Sequence, residues 1–248
     1  MAEEKQEVRL NKYLSEAGIC SRREADRLIE SGAVSVDGKR AVTGMKVSAK
    51  NRICIGKKVV QHAEKPVILA VNKPVGIVCT EEKREKKNII RFLNYPTRIT
   101  YIGRLDKDSE GLLLMTNQGD IINKMMRAGN CHEKEYEVTV DKPVTEYFLK
   151  GMASGVPILD TVTRECKIEA IGKYKFRIIL TQGLNRQIRR MCEYFGYKVK
   201  ILKRIRVMNI KLGNLKPGAY RELTKEEIKE LYRMIEGSSN ETVYGERN

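Results

Sequence analysis

The sequence has no tryptophan and only two histidines, His62 and His132. So few imidazoles leave little from which to assemble a zinc site or a Ser-His-Asp triad. The missing indole also removes the stacking surface that often accompanies paired-carboxylate glycosidases. No Cys-x-x-Cys clip occurs among the six cysteines; the closest pair, Cys54 and Cys79, is 25 residues apart, so free and mostly buried thiols are expected. Cys131 beside His132 is the one pair that invites a metal or thiol-nucleophile reading. No apolar run approaches the ~20 residues of a membrane span. The opening Met-Ala-Glu-Glu-Lys-Gln-Glu has no secretory apolar stretch, and cytoplasm is the default expectation. Acidic residues are scarce relative to basic ones, 32 against 48, giving a formal charge of +16. That imbalance favours a polyanionic partner, nucleic acid first, although charge alone also suits a merely soluble basic protein.

What is present divides into two parts. In the first, Leu10, Leu14 and Ala17 recur at helical spacing before Gly18, and Ser21 with Glu24 forms a capping box for a second helix carrying Ala25, Leu28 and Ile29 up to Gly32. Arg22, Arg23 and Arg27 are left pointing outward. The first two lie in a first turn where the helix dipole disfavours cations by up to about 1 kcal/mol, so phosphate contact competes there with an ordinary solvated face. Val34-Ser-Val36, the turn Asp37-Gly38, Lys39 and later Ile53-Cys-Ile55 read as a hairpin and small sheet. The stretch from Val8 to His62 resembles the alpha-L (S-four type) RNA-binding domain shared with a small-subunit ribosomal protein. The resemblance lays Arg22, Arg23 and Arg27 on structured RNA backbone, with Arg9, Lys12 and Lys39 joining them.

Composition changes after Pro66. Val67-Ile-Leu-Ala-Val71 reads as a buried strand closed by Asn72-Lys-Pro74, and Thr80 to Lys87 as a charged solvated loop. In Tyr101-Ile-Gly-Arg104-Leu105-Asp106-Lys107-Asp108-Ser-Glu-Gly111-Leu-Leu-Leu-Met115 a charged turn separates two apolar strands. On spacing alone this is as well an ordinary polar turn. Lys134-Glu-Tyr136-Glu-Val-Thr-Val140 alternates as a strand, and Tyr136 suits core packing as readily as a site. Lys175 to Leu180 is a further strand. Leu184 to Phe195 reads as a helix with a buried stripe of Ile188, Met191, Cys192 and Phe195, and with Arg186, Arg189 and Arg190 off it. Lys198, Lys200, Lys203, Arg204 and Arg206 are expected to extend a basic surface. Thr224 and Glu227 cap a last helix with Ile228, Leu231, Tyr232 and Ile235.

The string Gly-Arg-Leu-Asp-Lys-Asp-Ser-Glu-Gly-Leu-Leu resembles the catalytic motif of the RsuA-type ribosomal RNA pseudouridine synthases, and its Lys-Asp-Ser variant is similar to the RluF-like branch. Gln182-Gly-Leu-Asn-Arg-Gln-Ile-Arg-Arg-Met191 resembles a further block of that family. The resemblance spans roughly Val8 to Ile235. It implies Asp106 as the catalytic carboxylate, Tyr136 as the aromatic that stacks on the target base, and Arg189 as the partner of Asp106, keeping it ionised and oriented. It also implies RNA contacts from Arg104, Leu105, Lys107, Arg186, Gln187 and Ile188.

The fold so implied is α+β: an alpha-L domain over residues 8–64, then a catalytic domain over 66–236 with a mostly antiparallel mixed sheet flanked by helices. Residues 237–248 are expected as a disordered tail, short beside the basic extension of RluF-like proteins, so a preference housed in such an extension is not carried over. The expected activity is isomerisation of a specific uridine, in 23S ribosomal RNA by the RluF-like details, with transfer RNA a further candidate. Since the reaction needs no redox change and no outside atom, no cofactor or metal is called for. A monomer without membrane attachment is expected. An RNA-binding assembly factor and a DNA-binding regulator using Arg186 to Arg190 are the competing readings.

Overall fold

A computed structural model of the chain describes residues 7–48, 50–60 and 65–238. His62 and the tail beyond Ser238 lie outside the described residues. The chain forms two units, one of residues up to Val67 with Tyr95–Ile99 and Asn117–Gly119, the other of the remainder.

In the first unit, helix α1 (Leu10–Glu16) ends at Gly18, which takes the left-handed conformation at φ +74°. Ser21 accepts the backbone N–H of Glu24 at 3.2 Å to start α2 (Arg22–Glu30). The expected capping box is only half made, because the Glu24 carboxylate accepts from Arg27 at 3.3 Å instead. Strands β1 (Val34–Val36) and β2 (Lys39–Arg40) are joined by Asp37 and Gly38, both at positive φ as a tight hairpin turn demands. With β3 (Ile53–Ile55) and β4 (Lys58–Val59) they make a four-stranded sheet. Leu10, Leu14, Ala25, Ile29, Val34, Val36 and Ile53 form this unit's core.

The second unit is built on a nine-stranded sheet. Its elements in chain order are β5 (Ile68–Lys73), α3 (Ile89–Leu93), β6 (Thr100–Ile102), β7 (Glu110–Thr116), α4 (Gly119–Met126), β8 (Lys134–Val140), α5 (Glu146–Ala153), β9 (Lys167–Gly172), β10 (Lys175–Leu180), α6 (Gln187–Tyr194), β11 (Val199–Val207), β12 (Ile210–Lys211), β13 (Tyr220–Glu222) and α7 (Lys225–Ile235). The strand order is β9-β10-β8-β11-β7-β5-β13, with β12 on β11 and β6 on β7. Every pairing is antiparallel except β11 with β7, which run parallel at Lys203 beside Glu110 and Arg204 beside Gly111.

Alternation along the strands separates two faces. Ile68, Ala70, Leu112 and Leu114 pack with Ile121 and Met125 of α4 and Leu231 and Ile235 of α7. On the other face Val138, Phe176, Ile178 and Leu202 pack with Phe148 and Met152 of α5 and Ile188, Met191 and Cys192 of α6. The first of these faces continues beyond its apolar half as a row of alternating charge, Glu110, Lys203, Glu137, Arg177 and Glu169 on five successive strands. Thr224 and Glu227 make a complete capping box at the start of α7.

Four expectations change here. Helix α6 begins at Gln187, not Leu184. Arg186 stands in the left-handed region (φ 51°, ψ 35°), and the Leu184 N–H is taken by the Gln187 side chain at 3.1 Å, so residues 184–186 form a turn before the helix rather than part of it. Arg189 does not lie on an exposed face but is buried. Arg204, expected on the basic surface, is also buried and donates Nε to the Leu112 carbonyl at 2.6 Å. Arg206 is neutralised by Glu135 and Glu133 at 2.5 and 2.9 Å.

Candidate active site

Asp106 stands in the seven-residue connection from Gly103 to Ser109, between the paired strands β6 and β7. Gly103 (φ +75°) and Gly111 (φ +102°) flank it. At Gly111 a Cβ would collide with the backbone of Arg204, so only glycine lets β7 and β11 meet there. The connection is held from three sides. The Ser109 N–H closes a turn onto the Asp106 carbonyl at 3.1 Å, and the Gly76 N–H reaches the Lys107 carbonyl at 2.7 Å. Lys73, fully buried, donates Nζ to the Ser109 and Pro74 carbonyls at 2.8 and 2.9 Å. Burial pulls the Lys73 ammonium below its ordinary value, while Cys79, Asp108 and Asp106 act in the opposite sense.

The carboxylates face two arginines of the α6 segment. Arg186 Nη1 lies 3.5 Å from Asp106 Oδ2 and 3.2 Å from Asp108 Oδ1. Its Nη2 completes a fork on Asp108 at 3.4 Å. Arg189 reaches Asp108 Oδ2 at 3.3 Å, the Asp108 carbonyl at 2.9 Å, Ser109 Oγ at 3.3 Å and the Val199 carbonyl at 3.4 Å. The expected Arg189–Asp106 pair is therefore corrected: Arg186 carries the direct contact to Asp106, and Arg189 braces the loop through Asp108 and Ser109. The cause is depth, since Arg189 is buried under α6 whereas the side chains of Arg186 and Asp106 are 41% and 33% exposed. Burial alone would raise the Asp108 carboxyl, but the Arg186 hydrogen bond and the Arg189 charge outweigh it and hold Asp108 below the usual carboxylate range. The same hydrogen bond raises Arg186. A left-handed arginine costs about 1–2 kcal/mol; it accompanies a guanidinium turned onto both carboxylates.

Tyr136 of β8 is half-buried against the α5–α6 core. It belongs to one row across the sheet, Lys73, Gly111, Arg204, Tyr136 and Ile178, each opposite the next. Tyr136 thus lies two strands from Gly111, on the face that α6 covers.

Of the expected RNA contacts in this unit, Arg104 and Lys107 are exposed beside Asp106. Leu105, Gln187 and Ile188 are buried, and this corrects their assignment: Leu105 faces inward, Gln187 caps Leu184 and reaches Met191, and Ile188 joins the core. In the other unit Arg9, Lys12 and Arg22 line one pocket of about 360 Å³. Arg22, Arg23 and Lys39 are exposed, and Arg27 pairs with Glu24 at 3.3 Å. Sequence reasoning missed Lys73 and the buried Arg204. The signal for Lys73 was a lysine two residues beyond the apolar run Val67–Val71, read only as a turn although it ends the strand.

Among the described residues no cluster of three or more His, Cys, Asp or Glu side chains is arranged to hold a metal, and no helix is long and apolar enough to cross a membrane. His132 accepts or donates to Ser238 Oγ at 3.0 Å and is pushed down by burial.

The family model for RNA pseudouridylate synthase matches residues 67–194, the stretch that carries the Asp106 loop and α6. The chain belongs to the RNA pseudouridylate synthase family. This synthase is accordingly an isomerase that modifies RNA. An S4 domain matches residues 8–53. The synthase is 56% identical over 236 residues to the dual-specificity RNA pseudouridine synthase RluF of Salmonella typhi, covering 94% of this chain and 82% of the relative. It is 36% identical to an RNA pseudouridine synthase of Rickettsia felis, over 87% of this chain and 96% of the relative. A crystal structure of a pseudouridylate synthase superposes with a TM-score of 0.67 at 29% identity, over 90% of this chain and 99% of the other.

Proposed function

We propose that the synthase isomerises a specific uridine of 23S ribosomal RNA through Asp106, acting as a cytoplasmic monomer without a cofactor. The observation that carries the reading is a partly shielded carboxylate on a braced loop, 3.5 Å from Arg186, joining strands of the sheet that carries Tyr136. The reaction breaks the C1′–N1 bond, turns the detached uracil and joins C1′ to C5. One positioned carboxylate and a pocket that retains the base meet those needs. Arg186, ion-paired to Asp106, aims it. Arg189 acts at one remove, as a positioning residue for the loop. Because a stacked uridine is out of reach, the base flips out and stacks on Tyr136, at a cost of about a few kcal/mol that backbone contacts offset. Exposed Arg104 and Lys107, with Arg9, Lys12, Arg22, Arg23 and Lys39, supply such contacts. The dual specificity named for the Salmonella relative supports a second RNA, with transfer RNA the candidate.

The test is tritium release from 23S ribosomal RNA transcribed with 5-tritiated uridine. Asp106→Asn is expected to bind the RNA as the wild type does and release no tritium. Release at the wild-type rate would remove Asp106 from the reaction, and an inactive wild type would leave an RNA-binding factor.

A further inference from the structure

The row beneath the Asp106 loop holds more positive charge than the loop and α6 use. Arg204 is 97% buried, being 3% exposed. Its Nε is satisfied by the Leu112 carbonyl, but its buried Nη2 has no hydrogen-bond partner among the described residues. Buried N–H groups of a cation are rarely left unpaired in a folded protein, because the desolvation is uncompensated. No carboxylate pairs with Arg204 among the described residues; the titratable neighbours that feel it are the cations Lys73 and Lys134 and the buried Cys79 thiol. Lys134 begins β8 two residues before Tyr136, so both side chains lie on the same face. Among the described residues its Nζ donates only to the His132 carbonyl, at 3.3 Å. Tyr136 stands directly opposite Arg204, which puts about 5 Å between their Cβ atoms. Tyr136 therefore shares its sheet face with two half-satisfied cations, one on its own strand and one on the next.

We propose that Arg204 and Lys134 form an anion subsite for the pyrimidine itself, donating to its carbonyl oxygens as they take up charge. The proposal rests on the isomerase reading above and names groups that reading does not use. When the C1′–N1 bond breaks, the electron pair passes to N1 and spreads over O2 and O4. When C5 then bonds to C1′, the C5 proton leaves and N1 regains one, so atoms and charge balance without an outside reactant. Whatever role Asp106 takes toward the sugar, the transient negative charge sits on the base. Cations positioned for charge that appears only during reaction raise kcat more than affinity. A backbone phosphate is a poorer fit, because Arg204 lies in the sheet floor rather than on the surface.

Lys134 provides the test, since Arg204 also ties β11 to β7 and its loss would disturb the sheet itself. Burial and the like charge of Arg204 bring Lys134 down to about 8. The titratable or charged groups that face it are Arg204 from β11 and His132 from the preceding segment, while β10 presents Leu180. Using the tritiated 23S transcript, Lys134→Met is expected to lower kcat about 30-fold or more while KM and filter-binding affinity stay within about twofold. In wild type, kcat/KM should fall about tenfold per pH unit above about 8, as the lysine loses its proton. Lys134→Arg should restore most of kcat and remain active at pH 9. Circular dichroism and a urea midpoint matched to wild type establish that the variants are folded. Wild-type kcat in Lys134→Met, a loss confined to KM, or an unchanged alkaline limb in Lys134→Arg would overturn the subsite. These outcomes leave the isomerase reading intact, whereas a wild type that releases no tritium fails that reading instead.

Discussion

Replacing Gly111 with alanine should unzip the one parallel contact in the sheet. The residue sits at φ +102°, where a side chain is strained, and the added methyl meets backbone atoms of Arg204, which cannot swing aside. Strained backbone costs about 1–3 kcal/mol and an overpacked contact about 1–3 kcal/mol. Both act at this residue and overlap only at the upper end, so a destabilisation of about 2–5 kcal/mol is expected. With a urea dependence of about 2 kcal/mol per molar, the midpoint should fall by roughly 1–2.5 M. Gly129→Ala is the control, because nothing lies within 4 Å of its Cβ position; its effect should stay within about 0.5 kcal/mol. Equal urea midpoints for Gly111→Ala and Gly129→Ala would refute the account of β7 meeting β11. Activity should fall further than stability, since the same contact sets the Asp106 loop over the Arg204 row.

Asp108→Asn bears on pH. Asp108 is held below its ordinary pKa of about 3.9, so its contribution is complete above that value and disappears as pH falls through the folded one. The urea-midpoint gap between wild type and Asp108→Asn should be small, because the side chain is 49% exposed, and should close below about pH 4. A gap that widened on acidification would contradict the pairing. Thr224→Ala removes half of a complete capping box and should cost about 0.5–2 kcal/mol in urea unfolding. The double variant Arg22→Ala, Arg23→Ala should flatten the salt dependence of RNA binding by about 1–2 in log–log slope. An unchanged slope would take α2 off the phosphate backbone.

Local chemistry was readable wherever neighbours in sequence decide the outcome. Asp37-Gly38 turns because both residues tolerate positive φ, and α7 starts at Thr224 because Thr224 and Glu227 satisfy each other's backbone partners. The Asp106 string stood out through a motif rather than through periodicity. What escaped was set by distant partners. Arg204 reads as one more cation on a basic strand; only Leu112, 92 residues earlier, gives its Nε a buried acceptor. Arg189 likewise lies inside because Asp108 and Ser109 cross from another connection to meet it. The start of α6 was misjudged because the helical pattern runs on through Leu184, while left-handed Arg186 breaks it without a glycine to signal the break.

The row Glu110, Lys203, Glu137, Arg177 and Glu169 answers a question that a charge of +16 raises, namely why a long RNA should not settle anywhere on the protein. Its signs alternate within a strand spacing, well inside the ~8 Å over which ions screen at physiological salt. With three carboxylates against two cations the row is net acidic, so each cation on it is flanked by opposite charge. A diffusing transcript therefore finds no trap to delay it along that row.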